Sequence, residues 1–366
     1  MAGTASFIQK LGNSVKNVSE NKSSSWWYNH HMRAASCAIL ERIPLVDLVL
    51  EVRDARIPVS SEYEQLRCFP SSSRHIIILN KMDLADRSKT KEWMAYFNER
   101  NYTTYAINSH NKDSIKEFLN FLQAKVRDIR RSTHSSDTHA TTVMLVGIPN
   151  VGKSAFANSL HQIGRISAAE KGKLKHATVS PHPGETKNIT SLKIASHPNI
   201  YILDTPGILP PKILDAELSA KLALTGAIDD ILVDQSELAQ YFLSILNLSD
   251  EYKKWAKFST MDDDGAATSL GGSSVTDHTQ DFVVRAVRGA LFHEISAFNG
   301  NMEDEKEMVQ LIEAQFTRVL RKAFNVSSNP CGGDATGMVA AKLINLYRTG
   351  RLGHYTLDSL PRTKES

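Results

Sequence analysis

A glycine-rich segment ending in lysine and serine offers the clearest phosphate chemistry in the chain. Gly147–Ser154 fits the pattern G-x-x-x-x-G-K-[ST], after a predicted strand and at the start of a predicted helix. In that context backbone N–H groups can wrap phosphates, and the helix N-terminus adds a positive dipole end. Lys153 would reach the β- and γ-phosphates, and the Ser154 hydroxyl would bind Mg²⁺. The predicted nucleotide contacts of this loop are Asn150, Val151, Gly152, Lys153, Ser154 and Ala155. A chance glycine-rich turn is the alternative.

A second motif predicts recognition of guanine. Asn80, Lys81 and Asp83 form N-K-x-D directly after an isoleucine-rich predicted strand, where a doubly wound sheet places its ligands. The Asp83 carboxylate can accept from the ring N–H and the exocyclic amine of guanine together, a pair that adenine lacks. The Lys81 stem can cover the base, and Asn80 can brace the loop. Asn108 and Ser109 follow the next strand and would approach the base from the other side. A generic phosphate-loop ATPase, the alternative, would require Asp83 to be irrelevant.

Two further segments could sense the γ-phosphate. Asp204 begins an Asp-Thr-Pro-Gly sequence after a predicted strand and would hold Mg²⁺ through water, while the Gly207 N–H would meet the γ-phosphate. Thr186, in a Pro-Gly-Glu-Thr sequence between the phosphate loop and Asp204, is the candidate threonine that closes on Mg²⁺. A common turn is the alternative at each place.

These motifs occur in a rotated order. The guanine motif precedes the phosphate loop, whereas ordinary Ras-like GTPases run in the opposite order. The rotation places the chain ends between the Asp204–Gly207 switch and the guanine loop. The segment that leaves the γ-phosphate sensor therefore leads directly into a helical region after about Ser219. We expect the γ-phosphate state to set the orientation of that helical region.

Hydrophobic periodicity predicts the elements that carry the motifs. Strands alternating with helices indicate an α/β fold with a mostly parallel, doubly wound sheet over residues 25–240. Residues 241–366 are predicted to form a small all-helical domain. Within it, residues 259–281 are rich in Gly, Ser, Thr and Asp, which predicts a disordered insertion.

Composition is that of an ordinary globular protein and excludes few functions. The chain has 366 residues, 41% hydrophobic and 23% charged, with a net charge of +3 that permits nucleic-acid binding without arguing for it. Its three dispersed cysteines suggest neither a metal site nor a disulfide framework, and no apolar run is long enough to cross a membrane.

The N-terminus has the character of a targeting segment. Residues 1–19 lack acidic residues, and Phe7, Leu11, Val15 and Val18 recur at helical spacing. We therefore interpret residues 1–24 as a mitochondrial presequence. A frayed tail is the alternative, with the cytosol or a plastid as the alternative location.

With its motifs in this order, the chain resembles the circularly permuted ribosome-assembly GTPases of the RbgA/YlqF type, which include mitochondrial ribosome-associated GTPases and plant DAR GTPases. The triplet that names the plant group is present as Asp54-Ala55-Arg56. The resemblance covers roughly residues 26–247 and 283–360. Beyond the motifs already described, it rests on Ile107–Ser109, Asp204–Leu209, Leu224–Ile228 and Arg348–Asp358.

The resemblance implies GTP hydrolysis coupled to late assembly of the large ribosomal subunit. It implies a matrix location, with peripheral association with the inner membrane left open, and a monomer that binds GTP, GDP and rRNA. The residues expected to contact RNA are Lys342, Arg348, Arg351 and His354. The alternative for each is a solvated helix end.

The resemblance also bears on mechanism. Ile208 stands where Ras-like enzymes carry the glutamine that orients the attacking water, so intrinsic hydrolysis should be slow. Asn150 matches the asparagine of potassium-activated relatives, which implies a K⁺ that acts like an arginine finger. His31 takes the position of the family's proposed catalytic histidine, although Asn29-His30 replaces the usual Pro-Gly. A structural or RNA-contacting role for His31 stays open. The competing function is a GTP-sensing, RNA-binding scaffold that needs no hydrolysis.

Overall fold

The computed structural model describes residues 4–20, 30–68, 74–132, 140–167, 188–210, 213, 215–258, 278–326 and 335–361. The chain divides into two compact units. The sheet unit comprises Val18–Ile213, Lys221–Asp229 and Tyr355–Ser366, and the helical unit comprises Met1–Asn17, Leu214–Ala220 and Asp230–His354.

A six-stranded sheet forms the centre of the sheet unit. Its strands in chain order are β1 (Leu48–Asp54), β2 (His75–Asn80), β3 (Thr103–Ala106), β4 (Thr141–Val146), β5 (Thr190–Ser196) and β6 (Asn199–Asp204). The spatial order is β3-β2-β1-β4-β6-β5, and β5 runs antiparallel to β6 while the other pairs are parallel. The prediction of a mostly parallel α/β sheet is confirmed.

Helices cover this sheet. They are α2 (His30–Arg42), α3 (Arg87–Glu99), α4 (Lys112–Ser132) and α5 (Lys153–Ser167), with 3-10 turns at Ile43–Leu45 and Glu64–Cys68. In α4, apolar residues three and four apart form the buried face, namely Ile115, Phe118, Leu119, Leu122 and Val126. Helix α3 begins at Asp86, whose carboxylate accepts from the N–H groups of Ser88 and Lys89.

Strand β1 is buried along its whole length and carries charged residues into the core. The Glu51 carboxylate accepts from Nε and Nη2 of Arg53, both at 2.8 Å, and from the Tyr63 N–H at 2.8 Å. Burial alone would raise the pKa of Glu51, but Arg53 and the hydrogen-bonded His75 outweigh it and lower this pKa to about 2. Glu51 is therefore held ionised in the core.

The helical unit is built from the remaining helices. They are α1 (Ala5–Glu20), α6 (Ala216–Leu224), α7 (Gln235–Leu248), α8 (His278–Ala297), α9 (Glu305–Ala314), α10 (Arg321–Ala323) and α11 (Ala335–Arg348), with a π-helical turn at Gln315–Leu320 and 3-10 turns at Asp230–Leu232 and Glu251–Phe258. Unit boundaries fall within α1, after Asn17, and within α6, after Ala220. Phe242 of α7 packs on Tyr347 of α11 with ring centroids 4.6 Å apart. The buried amides of Asn247 and Gln315 bond reciprocally at 3.1 and 2.8 Å.

The division differs from the predicted domain boundaries at the C-terminus. The helical unit ends at His354, and the residues from Tyr355 onward return to the sheet unit. The Leu357 N–H donates to the Arg56 carbonyl at 2.7 Å, a contact between distant segments of the chain that periodicity does not reveal. Helix α8 begins at His278, within the range predicted as an insertion, and residues 259–277 lie outside the described residues.

The predicted N-terminal segment is helical where it is described. Phe7 and Leu11, which belong to the helical face that the spacing predicts to be apolar, are buried. A Cβ on Gly12 would lie 2.2 Å from the Ala216 Cβ, so α1 packs closely on the first turn of α6. None of the described helices has the length and apolar character that a bilayer crossing requires.

Candidate nucleotide site

The described residues that were predicted to bind guanine, phosphate and the cation gather at one edge of the sheet. Strands β1, β2 and β6 end at Asp54, Asn80 and Asp204, and β4 leads into the phosphate loop. These four strands are parallel neighbours, so their carboxyl ends share an edge, which is where open α/β sheets bind ligands.

The phosphate loop adopts a conformation that its glycines permit. Gly147 has a φ of +151°, and a Cβ there would lie 2.4 Å from the Val52 carbonyl oxygen. Gly152 has a φ of +95°, and a Cβ there would lie 2.4 Å from Nδ2 of Asn80. Glycine is thus required both by the backbone and by close neighbours. Helix α5 begins immediately afterwards at Lys153 and directs its N-terminus at the loop.

Lys153 is buried inside the loop. Its ammonium group donates to the carbonyls of Gly147 at 3.0 Å and Ile148 at 2.8 Å. Burial lowers the pKa of Lys153 to about 8, although the Asp204 carboxylate opposes the shift. A bound phosphate would supply the negative charge that this desolvated cation lacks.

Ser154 and Asp204 fit a divalent cation. The Ser154 hydroxyl donates to Oδ2 of Asp204 at 2.7 Å. Among the residues that the structure describes, the buried Oδ1 of Asp204 accepts no hydrogen bond. Burial raises the pKa of Asp204. A hard cation with oxygen ligands would relieve that desolvation, so these two residues would hold Mg²⁺ directly or through water. The predicted third group, Thr186, lies outside the described residues.

On the guanine side, Asn80 acts as a brace. Its Nδ2 donates to the Val151 carbonyl at 2.8 Å, and its Oδ1 accepts from the Ser109 hydroxyl at 2.7 Å. The phosphate loop and the two guanine loops are thereby tied through one amide. Asn108 uses its own Oδ1 to accept from the His110 N–H at 2.9 Å, which shapes the second guanine loop.

Asp83 is exposed and available to a base. It lines a cavity of about 480 Å³ together with Met82, Tyr105 and Asn108. The volume suits a small ligand. The cavity joins the two loops that the sequence assigned to guanine.

Lys81 connects the guanine loop to the phosphate loop and is anchored by Asp54. In the sequence, Asp54 is notable only as part of the triplet that marks the family. The Lys81 ammonium donates to the Asn150 carbonyl and lies 3.1 Å from Oδ2 of Asp54. The buried Asp54 carboxylate also accepts from Nε of Arg56 at 2.9 Å and Nη2 at 2.8 Å. Burial would raise the pKa of Asp54, but Arg56 and Lys81 hold it well below its usual range. Asp54 is thus an anionic anchor for Lys81. The sequence signal for this anchor is the acidic residue at the end of β1, because β1 lies beside the strand that leads into N-K-x-D.

Asn150 has a second partner that sequence reasoning missed. Its Nδ2 donates to the Gly226 carbonyl at 2.7 Å. Asn150 and Gly226 have φ values of +58° and +79°, so both sit in turns that few residue types tolerate. Leu224–Ile228 had been noted only as a point of family resemblance.

The switch after β6 lies directly on the phosphate loop. A Cβ on Gly207 would be 2.5 Å from the Pro149 Cα, so the Gly207 backbone packs directly against the phosphate loop. Ile208 is 2% exposed and packs in an apolar cluster with Met144 and Val146. It therefore cannot orient water. His31 lies in the first turn of α2, and its side chain is outside the described part of the chain.

The predicted RNA-contacting residues belong to the helical unit. Lys342 and His354 are exposed. Arg348 instead forms a bidentate pair with Asp230, both distances being 2.7 Å. The Arg351 carbonyl accepts from the guanidinium of Arg288.

The comparisons decide the family. The family described as 50S ribosome-binding GTPase matches residues 142–259. "DAR GTPase 2, mitochondrial" of Arabidopsis thaliana is 56% identical over 100% of this chain and 98% of its own. The chain belongs to the DAR GTPase family. "Ribosome biogenesis GTPase A" of Bacillus pumilus is 30% identical over 73% of this chain and 95% of its own. A solved structure of GNP-bound YlqF from T. maritima covers 89% of this chain and 97% of its own at 21% identity, with a TM-score of 0.47.

As a DAR GTPase, the protein is an enzyme that hydrolyses GTP. The rotated motif order is compatible with this activity. The phosphate loop and the guanine loops need only lie at the same sheet edge, whatever their order in the chain. Mg²⁺ would supply charge neutralisation at the phosphates when bound. Lys153, Ser154 and Asp204 would be the side chains that contact those phosphates and the cation.

Proposed function

We propose that this DAR GTPase uses GTP hydrolysis to drive late assembly of the large ribosomal subunit in mitochondria. The observation that carries the proposal is the gathering of the described guanine, phosphate and cation residues at one sheet edge, in a chain that is 56% identical to a mitochondrial DAR GTPase. The bacterial relative named for ribosome biogenesis supports the ribosome as the partner.

Hydrolysis is slow in the free enzyme and is accelerated by the ribosome. Support comes from Ile208, whose buried apolar side chain leaves the attacking water without the usual orienting amide. Thr186 closes on Mg²⁺, and His31 is the group that the ribosome would bring to the water. K⁺ binds at the side-chain oxygen of Asn150. The nitrogen of the same amide donates to the Gly226 carbonyl, which orients the side chain.

The helical unit contacts rRNA. Lys342 and His354 are exposed and can reach phosphates directly. Arg348 would first exchange its Asp230 partner for a phosphate, and Arg351 contributes from the following turn. Residues 1–24 direct the protein to the matrix, where it acts as a monomer that can associate peripherally with the inner membrane.

Two experiments test this function. Co-sedimentation with purified large or small mitochondrial subunits should show binding to the large subunit with a non-hydrolysable GTP analogue and weaker binding with GDP. Equal binding to both subunits in both nucleotide states would contradict the proposal. Imaging tagged full-length protein beside a form that lacks residues 1–24 tests the location, since the shorter form should lose its organelle.

The GTP-sensing scaffold is the second candidate, and the burial of Ile208 is the observation that favours it. Thr186→Ala should bind GTP without hydrolysing it, whereas Lys153→Ala would lose binding under either function. If Thr186→Ala supports repeated rounds of subunit assembly in cells that lack the wild-type protein, hydrolysis is dispensable and the scaffold function is correct.

A further inference from the structure

The last described residues of the chain complete the sheet unit. We call Tyr355–Leu360 the C-terminal strap. The Leu357 N–H donates to the Arg56 carbonyl at 2.7 Å, and Leu360 packs against the apolar cluster that contains Trp93. The Thr356 hydroxyl accepts from the Asp86 N–H at 3.2 Å. The chain thus leaves the sheet unit for the helical unit and returns to it.

Asp358 is the polar centre of the strap. Its Oδ2 accepts from the N–H groups of Val59 and Ser60, both at 2.8 Å. Its Oδ1 accepts from the Ser60 hydroxyl at 2.6 Å and from the Lys221 ammonium at 3.1 Å. Asp358 and Lys221 are only 5% and 8% exposed. A charge-assisted contact with so little water around it holds its partners firmly.

Lys221 is joined to Gly226 by one tight turn at the end of α6. The Thr225 N–H donates to the Lys221 carbonyl at 3.1 Å, and the Thr225 hydroxyl donates to the same carbonyl at 2.9 Å. The Gly226 N–H donates to the Ala223 carbonyl at 3.0 Å. These hydrogen bonds link residues that are only three or four positions apart. A displacement of Lys221 therefore moves the Gly226 carbonyl with it.

That carbonyl accepts from the side chain of Asn150 in the phosphate loop. Asn150 is therefore held by two hydrogen bonds, one at its backbone and one at its side chain. Lys81 holds its backbone carbonyl, and Gly226 holds its side-chain nitrogen. The bond from Lys81 comes from the guanine motif. The bond to Gly226 depends on the turn that Lys221 and the strap hold in place.

We propose that Asp358 is a positioning residue for the nucleotide site, acting through Lys221 and Gly226 on Asn150. The strap keeps the Gly226 carbonyl within reach of the phosphate loop, so the loop is organised before nucleotide arrives. Without the strap contact, binding must also order Asn150, and affinity falls. The alternative is that the strap only stabilises the fold.

The test is a double-mutant cycle on nucleotide affinity. Asp358→Asn and Lys221→Met are each combined with Asn150→Gly, a substitution that removes the side chain and tolerates the positive φ. Affinities for GDP and GTP are measured by titration with fluorescent nucleotides, and thermal unfolding is followed in parallel. We expect each single variant at 358 or 221 to weaken nucleotide binding by about 5- to 20-fold, the range of a moderate coupling between sites. In the Asn150→Gly background the same changes should have less than about a twofold effect.

Thr356→Val is the matched control, because it loosens the same strap without touching Asp358 or Lys221. It should lower the unfolding temperature slightly and leave the affinity within about twofold of wild type, as expected for loss of one neutral hydrogen bond. Lys221→Met keeps the hydrogen bonds that the Val59 and Ser60 N–H groups donate to Asp358, so it reports on the coupling even if Asp358→Asn does not fold. A fall in affinity of equal size with and without the Asn150 side chain would overturn the proposal. So would unchanged affinity in Lys221→Met.

Discussion

Raising the pH should weaken nucleotide binding through Lys153, even though the side chain of a typical lysine stays charged in this range. Burial lowers the pKa of Lys153 to about 8 in the nucleotide-free protein. Phosphates bind the cationic form, so deprotonation of the free protein competes with binding. Because the depressed pKa belongs to the free state, affinity is full below about pH 7 and is lost as the pH rises through about 8.

The magnitude follows from the fraction of protein that carries the cation. With the pKa of Lys153 at about 8, roughly nine-tenths is competent at pH 7 and roughly one-quarter at pH 8.5, so affinity should fall about fourfold. Fluorescent-GDP titrations at both pH values measure it. Lys153→Arg provides the control, because its guanidinium keeps the positive charge at both pH values.

The wild-type change must be read relative to that control. Titration of the GDP phosphates affects both proteins, so the ratio of their pH dependences isolates Lys153. A ratio that stays constant between pH 7 and 8.5 would show that Lys153 remains charged in the free loop and would contradict the prediction.

Three further predictions concern specificity, the switch and acid stability. Asp83→Asn should weaken GDP binding by about 100-fold, from the loss of two charge-assisted hydrogen bonds, and leave the weak affinity for ATP unchanged in competition titrations. Gly207→Ala would place a methyl group 2.5 Å from the Pro149 Cα, so it should destabilise this packed arrangement by about 1–3 kcal/mol; thermal unfolding that matches wild type would contradict the described switch position. Glu51, with a pKa lowered from 4.5 to about 2, should contribute about 3 kcal/mol of folding stability that is full above pH 4.5 and lost as the pH falls through 2. Denaturant unfolding from pH 6 to pH 2 should show a smaller loss of folding stability in Glu51→Gln than in the wild type, because Arg53 in this variant lacks its anionic partner at every pH.

The sequence predicted the parts of this protein that local pattern encodes. The apolar run of β1, the isoleucine-rich β2 and the helical spacing in α4 gave the sheet and its covering helices. Gly147–Ser154 was predictable in both position and role, because phosphate binding depends on one short strand–loop–helix unit.

Contacts between distant segments were not predictable in this way. Lys221 and Asp358 are 137 positions apart, and neither has a sequence neighbour that indicates an ion pair. The anchoring of Lys81 by Asp54 depends on the parallel register of β1 and β2, which pairs Asp54 with Asn80. The division at His354 was missed because the strap is neither helical nor strand-forming and is held by hydrogen bonds to remote backbone.

The coupling of GTP hydrolysis to the large ribosomal subunit can be measured as GTP turnover in the presence of purified subunits. Hydrolysis by the wild-type protein would be followed by phosphate release in K⁺ buffer, with large subunits, with small subunits and alone. We expect slow turnover alone, strong stimulation by large subunits and little by small ones, and a lower stimulated rate when Na⁺ replaces K⁺. Turnover that large subunits leave unchanged would contradict this coupling.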